Sequence, residues 1–299
     1  MVRTKMNKPK IAIIYDFDNT LSKTNMQAPL IEMLGLKEDD FWNITKNYAK
    51  IHVMDNILSY LYCLIEECKR KNVPLNRDTL NEIGSKVEFY NGLDEWFDAL
   101  AKLAEKLGVE IHHFIISSGL VEIIEGTKFF NKFDRVYACE YFYENNNPIW
   151  IKNAINYTTK TQILFRINKG AFEIYDDEKV NEFILHDDRE YPFENMIYIG
   201  DGDSDVPCMK LVRQNGGYSI GVYCDKKETV QRLRYDERLD FYFEADYSIN
   251  NRLYRTVENI IKSMKYLIPL RNLSKEQYTE SEKKIEEGQT IIDSGSTSK

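Results

Sequence analysis

Apolar positions along this chain follow two rhythms. Ile11-Ala-Ile-Ile-Tyr15 and residues 111–116 and 196–199 are short, continuous apolar runs rich in β-branched side chains. That is the pattern of strands buried on both faces. Between the first two runs, residues 24–107 contain few Gly or Pro residues and read as helices. Ile57, Tyr60, Leu61, Leu64, Ile65 and Cys68 recur on one helix face. Leu93, Phe97, Leu100, Leu103, Ala104 and Leu107 do the same before a stop at Gly108.

Residues 120–130 and 160–167 are also helical in pattern, with a short strand near Val136. Asn145-Asn-Asn-Pro148 reads as the turn of a hairpin joining 140–143 to 149–151. Residues 218–222 and 241–249 predict further strands, and 252–266 a final helix. Strands alternating with helices predict an α/β fold: a doubly wound parallel sheet in a Rossmann-like core, with the helical insert as a smaller all-helical cap domain. The expected division is 1–22 and 108–273 for the core and 23–107 for the cap. The polar residues 274–299 are expected to be a mobile tail.

With 299 residues there is ample length for a packed core. The 48 acidic against 40 basic residues leave a net charge of −8, which argues against nucleic acid or an anionic membrane as the main partner. No apolar run approaches the roughly 18 residues needed to span a bilayer. The basic start precedes only Ile11 to Tyr15 before Asp16, too short for the apolar stretch of a signal peptide. The cysteines, Cys63, Cys68, Cys139, Cys208 and Cys224, are odd in number and form no CxxC pair. Reduced thiols in a cytoplasm are the natural reading, and zinc ligation is not expected.

Ligands of open α/β sheets bind beyond the carboxyl ends of the strands. Here three such ends carry reactive residues: Asp16 and Asp18 after the first run, Ser117 after the second, Asp201 and Asp205 after the third. Bringing them together places four carboxylates within a few ångströms. Two like charges ~4 Å apart repel by about 4 kcal/mol at an effective dielectric of 20. A hard divalent cation removes that repulsion, and carboxylate oxygens suit Mg²⁺. An EF-hand reading of 201–212 fails, because Val206 and Val212 stand where Gly and Glu are required.

These motifs resemble the haloacid dehalogenase superfamily, most of whose members transfer phosphoryl groups. Asp16-Phe-Asp18-Asn-Thr20 matches its first motif, Ile115-Ile-Ser117 its second and Gly200-Asp201-Gly-Asp-Ser-Asp205 its fourth. Lys160 is placed for the lone lysine of the third, with Lys169 as runner-up. The resemblance implies Asp16 as the nucleophile that forms an aspartyl-phosphate. It implies Asp18 as the proton shuttle, with its backbone carbonyl on the metal, and Thr20 as a support for Asp18. Ser117, Ser118 and Lys160 would bind the transferring group. Asp201 would ligate Mg²⁺, with Asp205 as a ligand or an anchor behind it, and Asp203 as an extra carboxylate. Asp18 favours phosphate-ester hydrolysis, because members that cleave C–halogen or C–P bonds generally lack this second Asp.

The expectation is therefore a Mg²⁺-dependent phosphatase, a phosphoric monoester hydrolase acting on a small phosphorylated metabolite. The position of the cap resembles the phosphoserine phosphatase branch. However, Ser22-Lys-Thr-Asn25 lacks the acidic residue that branch carries there, which argues against serine phosphate. Two rivals are a catalytically silent phosphoryl-binding regulatory module and a nucleic-acid end phosphatase. Retention of both Asp16 and Asp18 speaks against the first. The acids interleaved among Lys226, Lys227, Arg232, Arg234 and Arg238 speak against the second. Of the cap side chains, Phe41, Trp42, Tyr48, Tyr60 and Tyr62 are expected mainly in its core, and Lys23 and Arg70 are expected as surface charges, either of which an anionic substrate would meet if it faced the site.

Overall fold

The computed structural model describes residues 8–295. Its elements run β1 (Lys10–Tyr15), α1 (Ala28–Met33), α2 (Glu38–His52), α3 (Asn56–Lys71), α4 (Arg77–Ser85), α5 (Leu93–Leu107) and β2 (Glu110–Leu120). Next come α6 (Val121–Glu125), β3 (Arg135–Glu144), β4 (Asn147–Asn153), α7 (Thr159–Lys169), α8 (Asp177–Asn181) and β5 (Met196–Gly200). The chain continues with α9 (Val206–Gln214), β6 (Tyr218–Tyr223), α10 (Lys227–Tyr235), β7 (Phe241–Glu244) and α11 (Arg252–Gly295).

The strands form one seven-stranded sheet in the order β4-β3-β2-β1-β5-β6-β7. Among the described residues, the β3–β4 pair is the antiparallel one and the other strand pairs are parallel. β1 and β5 are buried along almost their whole length, as central strands covered on both faces must be. The chain builds outward from β1 through β2 to β4, then returns to place β5 against the other side of β1. This reversal is a topological switch point, where strand ends open a crevice that adjacent crossovers leave uncovered.

The β3–β4 hairpin forms as the Asn-rich turn requires. Asn145 and Asn146 both take positive φ, at 49° and 63°, the conformation that two-residue hairpin turns demand and that Asn tolerates. The cap region shows two behaviours. α2 packs on α3, and α4 lies backbone-to-backbone on α6, where a Cβ on Gly84 would meet the Ile123 carbonyl oxygen at 1.9 Å. In contrast α5, inside the span expected for the cap, packs on β2 and α11 of the core. Its Trp96 donates a hydrogen bond to the Tyr15 hydroxyl at 2.9 Å, so its apolar face belongs to the sheet.

Several elements depart from their predicted lengths: β2 runs on through Ser117 to Leu120, and β3 joins the segments expected near Val136 and at 140–143. α6 is a single turn rather than a helix through residue 130, and Gly126 closes it against the Asn81 backbone, where a Cβ would sit 2.0 Å from the Asn81 carbonyl oxygen. β7 stops at Glu244, since Ala245 to Ser248 turn to bond Asn91 and their own neighbours. The final helix continues past Tyr266 to Gly295, through the segment from Ser274 expected to be a tail. Residues 274–287 are rich in Lys and Glu and contain no Gly or Pro, so local propensity favours helix over that stretch.

Candidate active site

The site forms where β1 and β5 end side by side. Tyr15 pairs with Ile199, and the Asp16 amide donates to the Ile199 carbonyl at 2.9 Å. After Asp16 the chain turns at once, with the amides of Thr20, Leu21 and Ser22 all donating to the Phe17 carbonyl. Asn19 takes φ 55° within this turn, a left-handed conformation that Asn adopts more readily than most residues. Gly200 closes β5 because nothing larger fits. A Cβ there would sit 2.4 Å from Asp205 Oδ2.

Carboxylate oxygens of Asp16, Asp201 and Asp205 lie within 4.8 Å of one another. Lys160, on the first turn of α7, reaches into this group, with Nζ 2.8 Å from both Asp16 Oδ1 and Asp205 Oδ1. Its ammonium is almost fully buried, and so are both carboxylates. Asp205 Oδ1 also accepts a hydrogen bond from the Tyr198 hydroxyl at 2.8 Å. Its Oδ2 is buried without a hydrogen-bond partner. A buried carboxylate oxygen without a donor is a costly arrangement that a cation would relieve. The three acids carry more negative charge than Lys160 cancels, and this all-oxygen donor set suits a hard divalent ion.

The charges perturb one another. Burial first, and then the Asp205 charge, push the Asp16 carboxyl above the usual carboxylate range, opposed by Lys160. Asp201 is raised in the same way by burial and by Asp205 and Asp16. Burial followed by the Asp16 charge pushes Asp18 up to about 8. Burial alone would lower Lys160, but Asp16 and Asp205 hold it above its ordinary value. Strongly perturbed groups gathered in one crevice are a mark of chemistry rather than of surface decoration.

The remaining residues singled out by the sequence fall around this centre. The Asp18 carboxylate is outside the trio and accepts from the Met26 amide at 2.7 Å. Thr20 is buried, but its hydroxyl makes no hydrogen bond, so Met26 rather than Thr20 holds Asp18. Ser117 is buried, with Oγ accepting from the Gly119 amide at 3.0 Å. The Ser118 carbonyl accepts from the Tyr60 hydroxyl of α3 at 2.7 Å. Lys169 is not at the centre: its Nζ donates to the carbonyls of Val180 and Glu182. Asp203 lies outside the trio, bonded to Arg232 at 2.7 Å and largely exposed on the wall of the adjacent groove.

Of Phe41, Trp42, Tyr48, Tyr60 and Tyr62, Tyr60 hydrogen-bonds a strand end of the core. Lys23 pairs with Glu88 at 3.3 Å, and Arg70 with Glu67 on the outer face of α3. A groove of about 330 Å³ opens beside the centre, lined in part by Asn19, Lys23, Tyr90, Asp201, Cys224 and Lys226. Met26 and Tyr198 are the contributors that sequence reasoning missed. A backbone amide carries no residue-type signal. A tyrosine inside an apolar strand reads as core until its hydroxyl finds Asp205.

All five cysteines are free thiols, and only Cys224 is exposed. Among the described residues, no helix is long and apolar enough to cross a membrane.

Known proteins share this fold and its sequence family. An uncharacterized protein of Borreliella burgdorferi is 29% identical over 275 residues, covering 83% of this chain and 95% of its own length. A solved phosphoserine phosphatase, described as a phospho-aspartyl intermediate analogue, is 18% identical with a TM-score of 0.53, covering 79% of this chain and 94% of its own. A substrate-bound phosphoserine phosphatase complex is 17% identical with a TM-score of 0.54, over 80% and 96% of the two chains. A probable phosphoserine phosphatase from Vibrio cholerae is 13% identical with a TM-score of 0.56, over 88% and 67%. At these identities the solved structures show a shared fold. The sequence model of the haloacid dehalogenase-like hydrolases matches residues 13–210, more than half of the chain, and spans all four motif positions. This chain belongs to the haloacid dehalogenase-like hydrolase family.

Proposed function

We propose that this protein is a Mg²⁺-dependent phosphatase that hydrolyses a small phosphomonoester through an aspartyl-phosphate on Asp16. The observation that carries the reading is the convergence of Asp16, Asp201 and Asp205 around the buried Lys160 ammonium at the β1/β5 switch point. Asp16, Asp201 and Asp205, with Asp18 through its backbone carbonyl, are the residues that would hold the ion. When bound, Mg²⁺ supplies positive charge that offsets the repulsion between these carboxylates and an anionic phosphoryl group.

The side chains divide the rest of the work. An Asp16 carboxylate oxygen attacks phosphorus, and the bond from phosphorus to the ester oxygen breaks. Asp18 gives its proton to that leaving oxygen, a role that suits a carboxyl pushed up to about 8. Water then attacks the aspartyl-phosphate and yields a proton to Asp18. Inorganic phosphate leaves, and Asp16 is restored. Lys160 and Ser117 neutralise and hydrogen-bond the phosphoryl oxygens, whose charge is spread over several atoms. The cap excludes bulk water, since Asp16 is only 5% exposed and Tyr60 ties α3 to Ser118. A closed centre of this kind admits a small ester and rejects a phosphoprotein. Ser22-Lys-Thr-Asn25 lacks the acidic residue that would favour serine phosphate, and the Asn25 amide is shared between Asn19 and Glu38.

The test is phosphate release from a panel of small phosphomonoesters, with Mg²⁺ or with EDTA, for the parent, Asp16→Asn and Asp18→Asn. Turnover that requires Mg²⁺ and is lost in both variants is expected. An Asp16→Asn protein as fast as its parent would sink the nucleophile assignment. Absence of Mg²⁺-dependent release from every ester would favour a silent phosphoryl-binding module.

A further inference from the structure

Cap and core do not meet equally on the two sides of the centre. On the β2 side they are fastened. The Tyr60 hydroxyl donates to the Ser118 carbonyl at 2.7 Å, and Arg77 of α4 pairs with Glu125 of α6 and Glu140 of β3. Gly84 and Gly126 also let α4 and the end of α6 touch backbone to backbone. A seam packed in this way leaves no room for a leaving group. On the β5–β6 side lies the groove of about 330 Å³, and Asp201 of the carboxylate trio is part of its lining. Its other walls include Lys23 and Tyr90, from the two stretches that join core to cap, and residues 222–229, from the end of β6 to the first turn of α10.

The charges on these walls cancel in pairs. Lys23 is held by Glu88 at 3.3 Å and Asp203 by Arg232 at 2.7 Å. Asp225 and Lys226 are neighbours of opposite sign. A second phosphate or carboxylate on the substrate would therefore meet as much negative charge as positive, and so would an ammonium group. A neutral group rich in hydroxyls suits such walls, because each hydroxyl both donates and accepts. Asp225 offers acceptors, Lys226 offers donors, and the hydroxyls of Tyr90 and Thr229 offer both. The rings of Tyr90 and Tyr223 add apolar faces for its C–H edges.

We propose that this groove receives the leaving group of the ester, that the leaving group is a neutral polyhydroxy group of sugar size, and that Asp225 and Lys226 read its hydroxyls. The proposal rests on the phosphatase reading above and names a substrate class for that site. The phosphoryl group sits at Asp16 and Lys160, and the sugar extends past Asp201 into the groove. The volume is at the lower end of the roughly 300–1,000 Å³ typical of small-ligand sites, which suits one sugar ring. Recognition then falls to the loop after β6 rather than to the cap helices.

Two measurements on the full chain test this, and only the first depends on turnover. With Mg²⁺, kcat/KM for the better of ribose 5-phosphate and glucose 6-phosphate should exceed that for O-phosphoserine and for fructose 1,6-bisphosphate by about tenfold or more. Asp225→Asn combined with Lys226→Met should erase most of that advantage, mainly through KM, as expected for contacts made equally before and during reaction. The second measurement reads the groove itself through Cys224, which lines it and is the exposed thiol of the five. In Asp16→Asn protein with Mg²⁺, the preferred sugar phosphate should slow the reaction of N-ethylmaleimide with Cys224 several-fold. Inorganic phosphate, which lacks the leaving group, should not. A preference for phosphoserine or for the bisphosphate overturns the substrate class. Equal slowing by inorganic phosphate, or none by either sugar phosphate, overturns the placement in the groove. If no ester releases phosphate, the phosphatase reading fails by itself. Slowing at Cys224 by a sugar phosphate but not by phosphate would still uphold the groove.

Discussion

Replacing Lys160 by Met tests the electrostatic account of the centre. Met keeps most of the volume and removes the charge, leaving the Asp16 and Asp205 carboxylates that it bridges at 2.8 Å with no counter-charge in the absence of metal. Breaking a buried pair by removing one partner costs about 3–5 kcal/mol. An independent figure comes from the carboxylates, whose oxygens lie within 4.8 Å. At that separation two unit charges repel by about 3.5 kcal/mol at an effective dielectric of 20, since 332/(20 × 4.8) ≈ 3.5. A loss of about 3–4 kcal/mol is therefore expected at pH 7.5 in EDTA, measured by urea unfolding followed through tryptophan fluorescence. The pH dependence has a definite sign. Asp16 already sits above the carboxylate range in the folded state, and removing Lys160 takes away the group that opposes this shift. A folded-state acid with a raised pKa is most favourable below its unfolded value and loses stability as pH rises. The cost of the substitution should therefore shrink on acidification to pH 5. Excess Mg²⁺ at pH 7.5 should narrow it as well. A cost below about 1 kcal/mol at pH 7.5 would refute the reasoning, and so would a cost that is the same at both pH values.

Other outcomes follow from particular contacts. Asp18→Asn removes the proton shuttle while keeping the size of the side chain. Turnover should fall by about 10²–10⁴-fold for esters with poor leaving groups, and by less for nitrophenyl phosphate, whose leaving oxygen needs little protonation. Burial holds His113 down at about 4, with its Nδ1 3.0 Å from the Tyr15 hydroxyl. The unfolded chain takes up that proton near pH 6.5, so stability should fall between about pH 6.5 and 4 by up to about 3 kcal/mol. In urea titrations at pH 7 and 5, a drop equally large in His113→Gln would exclude His113 as the cause. Tyr60→Phe deletes the hydrogen bond from α3 to the Ser118 carbonyl. It should cost about 1 kcal/mol of stability and lower kcat/KM, as measured by unfolding and steady-state phosphate release. Gly84→Ala drives a methyl group against the Ile123 carbonyl, with a separation of only 1.9 Å before relaxation. A loss of about 1–3 kcal/mol in thermal unfolding is expected, and an unchanged midpoint would mean that α4 does not press on α6.

Residues near one another in the chain were legible without the structure. The buried runs ending in Asp16 and Asp201 declare strands whose ends carry chemistry, because a strand buried on both faces must be apolar throughout and a polar break marks where it leaves the sheet, whereas β2 continues past Ser117 to Leu120. Lys160 was placed by its position at the start of α7, but only the fold separated it from Lys169. The distinction depends on which amine reaches Asp16, 144 positions earlier in the chain. The hairpin turn at Asn145 and Asn146 was equally local. The allocation of α5 was not, because its apolar face looks the same in sequence whether it meets cap helices or β2. Nor was the hold on Asp18 by the Met26 amide, since every residue except proline carries such a donor.

The sequence by itself determined the family, the α/β alternation and the motif residues that gather at the strand ends, all of which depend on local periodicity and on motifs of a few residues. Only the tertiary structure decided which of those side chains share a centre and which oxygen of Asp205 is left without a partner. Those outcomes depend on contacts between residues far apart in the chain, where burial strengthens charge interactions and close packing leaves room for one neighbour and not another.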